Sequence, residues 1–200
     1  MTPSDCGHRG GGVEYVFGYG SLLDRRAIDE AAGGDPLVCA LTSYRRTWNV
    51  AMENARTIPG YKYYVDPATT ARPEYFVTFL NIVPDPETSV NGVILEATRD
   101  VIERWDRRER NYQRIDVSAD LSPAVDARVW AYAGSRAAVR RFRVGLRTRR
   151  AVISRGYYEG VLSDFASLGP GALQTFIDLT DPAPCPIVDL RRVDVRTAER

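Results

Sequence analysis

Apolar and polar residues follow two periods along this chain, one of two residues and one near four, and the switches between them predict its elements. Val13, Tyr15, Val16 and Phe17 form a short run dense in β-branched and aromatic residues, a strand signature. The run breaks at Gly18-Tyr19-Gly20-Ser21, after which Leu22 to Ile28 has helical spacing. Asp24 to Ala32 reads as a short helix, with Asp24 as N-cap and Gly33-Gly34 as the stop. Leu37 to Ala51 holds one long strand or two short ones, and 54–73 reads as a loop region containing Pro59-Gly60, Tyr61, Tyr63 and Tyr64. Glu74 to Val83 is a strong strand that Pro84-Asp85-Pro86 is expected to stop. Val90 to Ala97 is another, with Gly92 a candidate bulge or close backbone contact.

Thr98 then caps a helix over Arg99 to Arg110, in which Val101, Ile102 and Trp105 share a face with Arg108 and Glu109. Two more strands are expected at Arg114 to Ser118 and Ala127 to Ala133, separated by a loop at Pro123. Ser135 caps a basic helix to about Arg143, and the arginine-rich stretch from Arg140 to Arg150 reads as an exposed face with its linker. Tyr158, Val161, Leu162 and Phe165 give Ser154 to Leu168 one apolar face, and Gly169-Pro170 ends it. A short helix at Leu173 to Leu179 and a strand or extended tail at Ile187 to Val195 close the chain. Strands and helices mix without regular βαβ alternation. An α+β domain with a curled sheet is therefore expected over 13–180, between a disordered tail at 1–12 and an extension at 181–200.

Charge and rare residues narrow the chemistry. The 27 basic and 26 acidic residues leave a net charge of +1, which favours neither nucleic acid nor an anionic membrane. No apolar stretch approaches a membrane span. Cys6, Cys39 and Cys185 are scattered and odd in number, as in a reduced cytoplasmic protein. His8 is the one histidine and lies in the predicted tail, so a Ser-His-Asp triad or a histidine-bearing zinc site is not expected. Lys62 is the one lysine, and arginine stays charged, so a proton carrier would be a carboxylate, with tyrosine or cysteine as alternatives.

The stretch from Val13 to Leu23 is the strongest local candidate. A strand, a glycine-bearing turn and a helix start place successive N–H groups so that they converge on an anion. The plain alternative is a turn that merely needs glycines. Leu23 stands where a dinucleotide fingerprint needs its third glycine, and no Gly-Lys-Ser/Thr follows.

Three motifs in order, Phe17-Gly18-Tyr19-Gly20-Ser21-Leu22, Asn91-Gly92-Val93-Ile94-Leu95 and Trp105-Asp106-Arg107-Arg108-Glu109, resemble the γ-glutamylcyclotransferase-like family. The resemblance runs weakly on through Tyr112 and Ser154-Arg155-Gly156-Tyr157, from roughly Tyr15 to Leu168. It implies a small mixed β-barrel flanked by helices, with the pocket at one barrel mouth and neither metal nor cofactor. It further implies that Tyr19, Gly20, Ser21 and Leu22 hold the α-carboxylate of a γ-glutamyl group. Glu109 then moves the proton in a cyclisation that releases 5-oxoproline from a γ-glutamyl amine or peptide. Tyr112 and Tyr157 match family tyrosines near the pocket, or are core aromatics. Asp106 is a candidate to assist Glu109, with pairing to Arg110 as the alternative, and Arg45, Arg46 and Trp48 are either contacts for a substrate carboxylate or, as the plainer reading, part of a strand with exposed arginines. The chemistry also asks that Glu109 sit in a partly apolar setting, which Trp105 on the same face would supply. The alternative is an exposed Glu109 paired with Arg108. The partner expected is a small γ-glutamyl molecule bound by a monomer or homodimer, and a non-catalytic relative that keeps the pocket for a small carboxylate is the competing reading. Arg110-Asn111 follows the glutamate where many members carry glycine, so the leaving group stays open.

Overall fold

The long antiparallel pair of Leu37–Glu53 (β2) and Phe76–Ala97 (β4) is the frame on which the other elements are placed. The computed structural model describes residues 14–31 and 33–195, so Cys6, His8, Val13, Ala32 and the tail assigned to 1–12 lie outside the described residues. Phe76 to Ile82 are buried without alternation, which means both faces of β4 are covered there. The strands Glu14–Gly18 (β1), Lys62–Val65 (β3), Tyr112–Asp116 (β5), Leu121–Ser122 (β6) and Arg128–Gly134 (β7) complete the first part of the β structure. The main sheet runs β5-β7-β1-β4-β2-β6, with β1 parallel to β7 and antiparallel to β4. The short strand Ala151–Ser154 (β8) lies parallel to β4 at Phe76 and Val77, and Ile187–Val188 (β9) lies parallel to β8. Arg191–Asp194 (β10) pairs with β3 in a separate two-stranded ribbon. The result is an α+β fold whose sheet curls into a half-barrel.

Five helices, Arg25–Glu30 (α1), Arg99–Arg108 (α2), Arg136–Arg147 (α3), Arg155–Ser167 (α4) and Ala172–Asp178 (α5), flank the sheet among the described residues. The starts of α1, α2 and α3 are set by short polar side chains. Asp24 accepts from the Ala27 N–H at 2.7 Å, Thr98 from Val101 at 3.4 Å and Ser135 from Ala138 at 3.3 Å. Val101, Ile102 and Trp105 of α2 and Val161 and Phe165 of α4 enter one core with Val16 and Phe17 of β1. Trp105 is fully buried, and its indole N–H donates to Glu30 at 3.0 Å, so the polar edge of the ring is satisfied.

Four expectations fail here, each for a tertiary reason. The expected stop at Pro84-Asp85-Pro86 is a bulge inside β4, because Tyr44 pairs with Pro84 and Thr42 with Ser89. Four residues of β4 thus face Ser43 alone, Thr88 donates to the Tyr44 carbonyl at 2.8 Å, and Pro86 occupies a position without a ladder bond to lose. The loop expected over 54–73 contains β3, which finds its partner more than a hundred residues later in β10. The linker expected near Arg150 leads into β8, too short to be seen apart from its partner β4. Arg46, expected to be exposed, is fully buried. It donates to the Asn91 carbonyl, to Asn91 Oδ1 at 3.1 Å and to Thr180 Oγ1 at 3.1 Å, with its guanidinium 4.8 and 4.5 Å from the Phe165 and Phe176 rings.

Candidate functional site

The turn that follows β1 is where sequence and cavity meet. The Gly20 carbonyl accepts from Leu23 N–H at 2.9 Å, closing a single 3-10 turn over Ser21–Leu23 that no side chain caps. Among the described residues, the Ser21 and Leu22 N–H groups have no acceptor, so two adjacent donors stand free beside the cavity. Neither Gly18 nor Gly20 uses a positive φ. The space beside them is tight: a Cβ on Gly20 would lie 3.3 Å from Leu80 and 3.6 Å from the Tyr157 hydroxyl, and one on Gly18 3.2 Å from Leu23. Gly92, across from this turn, is more constrained, because a Cβ there would meet the Gly18 carbonyl oxygen at 2.3 Å.

Helix α2 delivers the carboxylate. It ends at Arg108, and Glu109 is its C-cap, with its N–H on the Trp105 carbonyl at 2.8 Å. The Glu109 side chain is only 12% exposed and faces Arg108 Nε at 3.3 Å. Burial raises its pKa, and the positive charges of Arg108 and Lys62 only partly oppose that rise. Both alternatives for Glu109 therefore hold a part of the arrangement: it pairs with Arg108, yet it does so inside the domain. Arg108 is also a clamp, donating from one Nη to the Ser21 carbonyl at 2.9 Å and to Asp24 at 3.0 Å. The turn, the start of α1 and the end of α2 are thereby tied through one guanidinium.

Tyr19, Gly20, Ser21, Leu22, Glu109, Tyr112 and Tyr157, all singled out from the sequence, line one cavity together with Leu80 and Tyr132. Tyr112 donates to the Leu80 carbonyl at 2.7 Å, and the Leu80 N–H donates to the Tyr157 hydroxyl at 3.4 Å. Leu80 can serve both because β8 pairs with β4 only at Phe76 and Val77, so the edge of β4 away from β2 is open at Leu80. Tyr19 donates to the Tyr132 carbonyl on β7 and stacks near Phe17, 6.4 Å between centroids. Burial pushes the phenols of Tyr19, Tyr112 and Tyr157 up, so they remain protonated donors at any working pH. The space is about 20 Å³, room for one water, so a larger occupant displaces a side chain or reaches into adjoining space. Tyr157 has the longest of these bonds and packs edge-on against Trp48 and Phe79.

Asp106 does not join this group. It accepts from the Tyr132 hydroxyl at 2.8 Å and faces Arg114 at 3.6 Å, where Arg110 was the expected partner. Arg45, expected on an exposed strand, is half-exposed between Asp85 and Asp181. Trp48 is buried beside Tyr157 and Tyr158. Sequence reasoning missed Leu80, Tyr132 and Lys62. Lys62 sits on β3 with its ammonium 4.7 Å from the Phe79 ring, and burial lowers its pKa to about 8. Its uniqueness among the basic residues was the one available signal. Among the described residues, no group of three or more His, Cys, Asp or Glu side chains is placed to hold a metal ion. No helix there is long and apolar enough to cross a membrane.

A curled α+β sheet thus carries Glu109 and the turn with the unpaired Ser21 and Leu22 N–H groups on one small cavity. The family model described as "gamma-glutamyl cyclotransferase, AIG2-like" matches residues 16–148, and the chain belongs to that family. A solved structure named γ-glutamyl cyclotransferase superposes with a TM-score of 0.53 at 11% identity, covering 88% of this chain and 94% of its own. YkqA from Bacillus subtilis gives 0.51 at 14% identity, covering 86% of this chain and 56% of its own. At such identities the likeness is one of fold. No curated protein sequence matches the chain.

Proposed function

We propose that this protein is a cyclotransferase that releases 5-oxoproline from a γ-glutamyl amine or peptide. The observation that carries the reading is the placement of Glu109, buried and with its pKa raised, on the same cavity as the unpaired Ser21 and Leu22 N–H groups. In this reading those N–H groups hold the substrate α-carboxylate and fix one end of the glutamyl chain. Curling the chain then brings its α-nitrogen against its own γ-carbonyl, so that positioning supplies most of the acceleration. Glu109 takes a proton from the α-ammonium, and the freed amine attacks the γ-carbonyl carbon. The lactam C–N bond forms and the bond to the departing nitrogen breaks. Of the three ammonium protons one stays on the lactam nitrogen, and the other two finish on the departing amine, one of them returned by Glu109. A raised pKa suits this double duty, since it makes the carboxylate a better base.

Glu109→Gln preserves the shape and removes the proton carrier. It is expected to lower 5-oxoproline release by at least about a hundredfold on every γ-glutamyl compound that wild type turns over. Undiminished turnover would take Glu109 out of the reaction. Ligand-dependent stabilisation of wild type without any product would instead favour the non-catalytic carboxylate binder.

A further inference from the structure

Beside the cavity just described lies a second one of about 300 Å³, and the two share Ser21 and Tyr157. Its walls come from the β3–β10 ribbon, the end of α2 and one face of α4. Lys62 and Arg192 line it from the ribbon and Arg108 from α2. Their charges are unequally spent. Arg192 is paired with Asp194 at 2.6 Å, but Lys62 has no carboxylate partner among the described residues. Arg108 also buries its Nη1 without any acceptor. An amine whose pKa is lowered to about 8, first by burial and then by Arg192, is still mostly charged at neutral pH. Unpaired donors of this kind cost stability unless a ligand completes them.

The α4 face gives an independent sign that the space is meant to be filled. Gly156 and Gly160 stand one helical turn apart inside α4, and both line the cavity. A Cβ built on either meets nothing within 4 Å, and neither uses a positive φ. Neither packing nor backbone geometry calls for glycine there, although each glycine costs the helix about 1 kcal/mol relative to alanine. Two such residues on the one face that borders the cavity keep its floor clear. The acidic residues at its edge leave the positive side in excess. Asp24 is already engaged by Arg108 and the Ala27 N–H, and burial pushes the Asp164 carboxyl up to about 6.

Building on the cyclotransferase reading, we infer that this second cavity is the leaving-group subsite, and that Lys62, Arg108 and Arg192 select a departing amine that carries an anionic group. Plain alkylamines and polyamines, which bring no negative charge to Lys62, are then poor leaving groups. The occupant enters past Ser21 and Tyr157, where the two cavities meet, so the scissile amide lies between Glu109 and the ribbon.

Two probes that differ only in the carboxylate test this, γ-glutamylglycine and γ-glutamylmethylamide. Wild type is expected to favour the first by tenfold or more in kcat/KM. Lys62→Met and, separately, the milder Arg192→Gln are each expected to shrink that ratio severalfold. A wild-type ratio near one, or a ratio that neither variant changes, overturns the subsite. If neither probe yields 5-oxoproline, the cyclotransferase reading fails, and calorimetry of the same two compounds on wild type then decides the subsite alone. Tighter binding of the glycine compound that weakens in the variants upholds it, and equal affinities refute it.

Discussion

Replacing Gly92 by alanine tests the link between the sheet and the turn most directly. The new Cβ would stand 2.3 Å from the Gly18 carbonyl oxygen and 2.7 and 2.9 Å from Phe17 ring carbons. A carbon and a carbonyl oxygen rest at about 3.3 Å, so β1 must retreat from β4 by about 1 Å. The obstacle is backbone rather than the end of a flexible side chain. The cost therefore belongs near the upper end of the overpacking range, about 3 kcal/mol. Because β1 runs straight into the Gly18–Leu22 turn, the same retreat moves the Ser21 and Leu22 N–H groups away from Glu109. A misplacement of about 1 Å is worth roughly a hundredfold in rate. Urea denaturation followed by two probes reads the stability, and 5-oxoproline release reads the turn. Gly160→Ala is the control for stability, since its Cβ meets nothing and the helix gains about 1 kcal/mol. A Gly92→Ala protein with the wild-type denaturation midpoint, or one whose structure keeps β1 in place, would refute the reasoning.

Other outcomes follow from the buried charges. Glu109 has a folded pKa above its unfolded one, so wild type loses stability relative to Glu109→Gln as pH rises through that folded value. Equilibrium unfolding at pH 4 and pH 7 should show the variant gaining on wild type at the higher pH. For the same reason kcat/KM should fall on the acid side at a pH above the ordinary carboxylate range, and a pH–rate profile with its acid limb at or below pH 4 would contradict the burial of Glu109. Lys62 is lowered from 10.5 to about 8, so wild-type stability rises with pH between those values. Lys62→Met should abolish that rise and stabilise the protein at pH 7 by up to about 3 kcal/mol, as thermal unfolding across this pH range can measure. Arg46→Ala strips donors from Asn91 and Thr180 and vacates the space against Phe165 and Phe176, at a cost of about 3 kcal/mol or more in denaturant unfolding.

What could be read from the sequence was local. Caps such as Asp24, Thr98 and Ser135 act within four residues, and the apolar face of α2 is written in Val101, Ile102 and Trp105. The site residues on the turn and at the end of α2 were found because motifs preserve them as short strings. Their gathering on one cavity depends on β1 and β4 being paired, which no string encodes. Leu80 is an ordinary strand leucine until the short reach of β8 leaves both its backbone groups for tyrosines. Lys62 looked like part of a tyrosine-rich loop because β10 lies so far along the chain. Pro84 and Pro86 are strong breakers in isolation, but a bulge opposite Ser43 absorbs them. Arg46 departs furthest from expectation, because a buried guanidinium needs partners from α4 and α5 that local sequence cannot supply.

The segment that matches the family stops at residue 148, whereas β8, α4, α5, β9 and β10 all come after it. Glu109 and the Tyr19–Leu22 turn lie inside that segment, while Arg192 and the two α4 glycines lie beyond it. On the two proposals above, reaction and selectivity would draw on different lengths of the polypeptide, joined by Lys62 and Arg108 from one and Tyr157 from the other. A change confined to one four-residue strand and one helix face would then alter the diet while leaving Glu109 and the turn untouched.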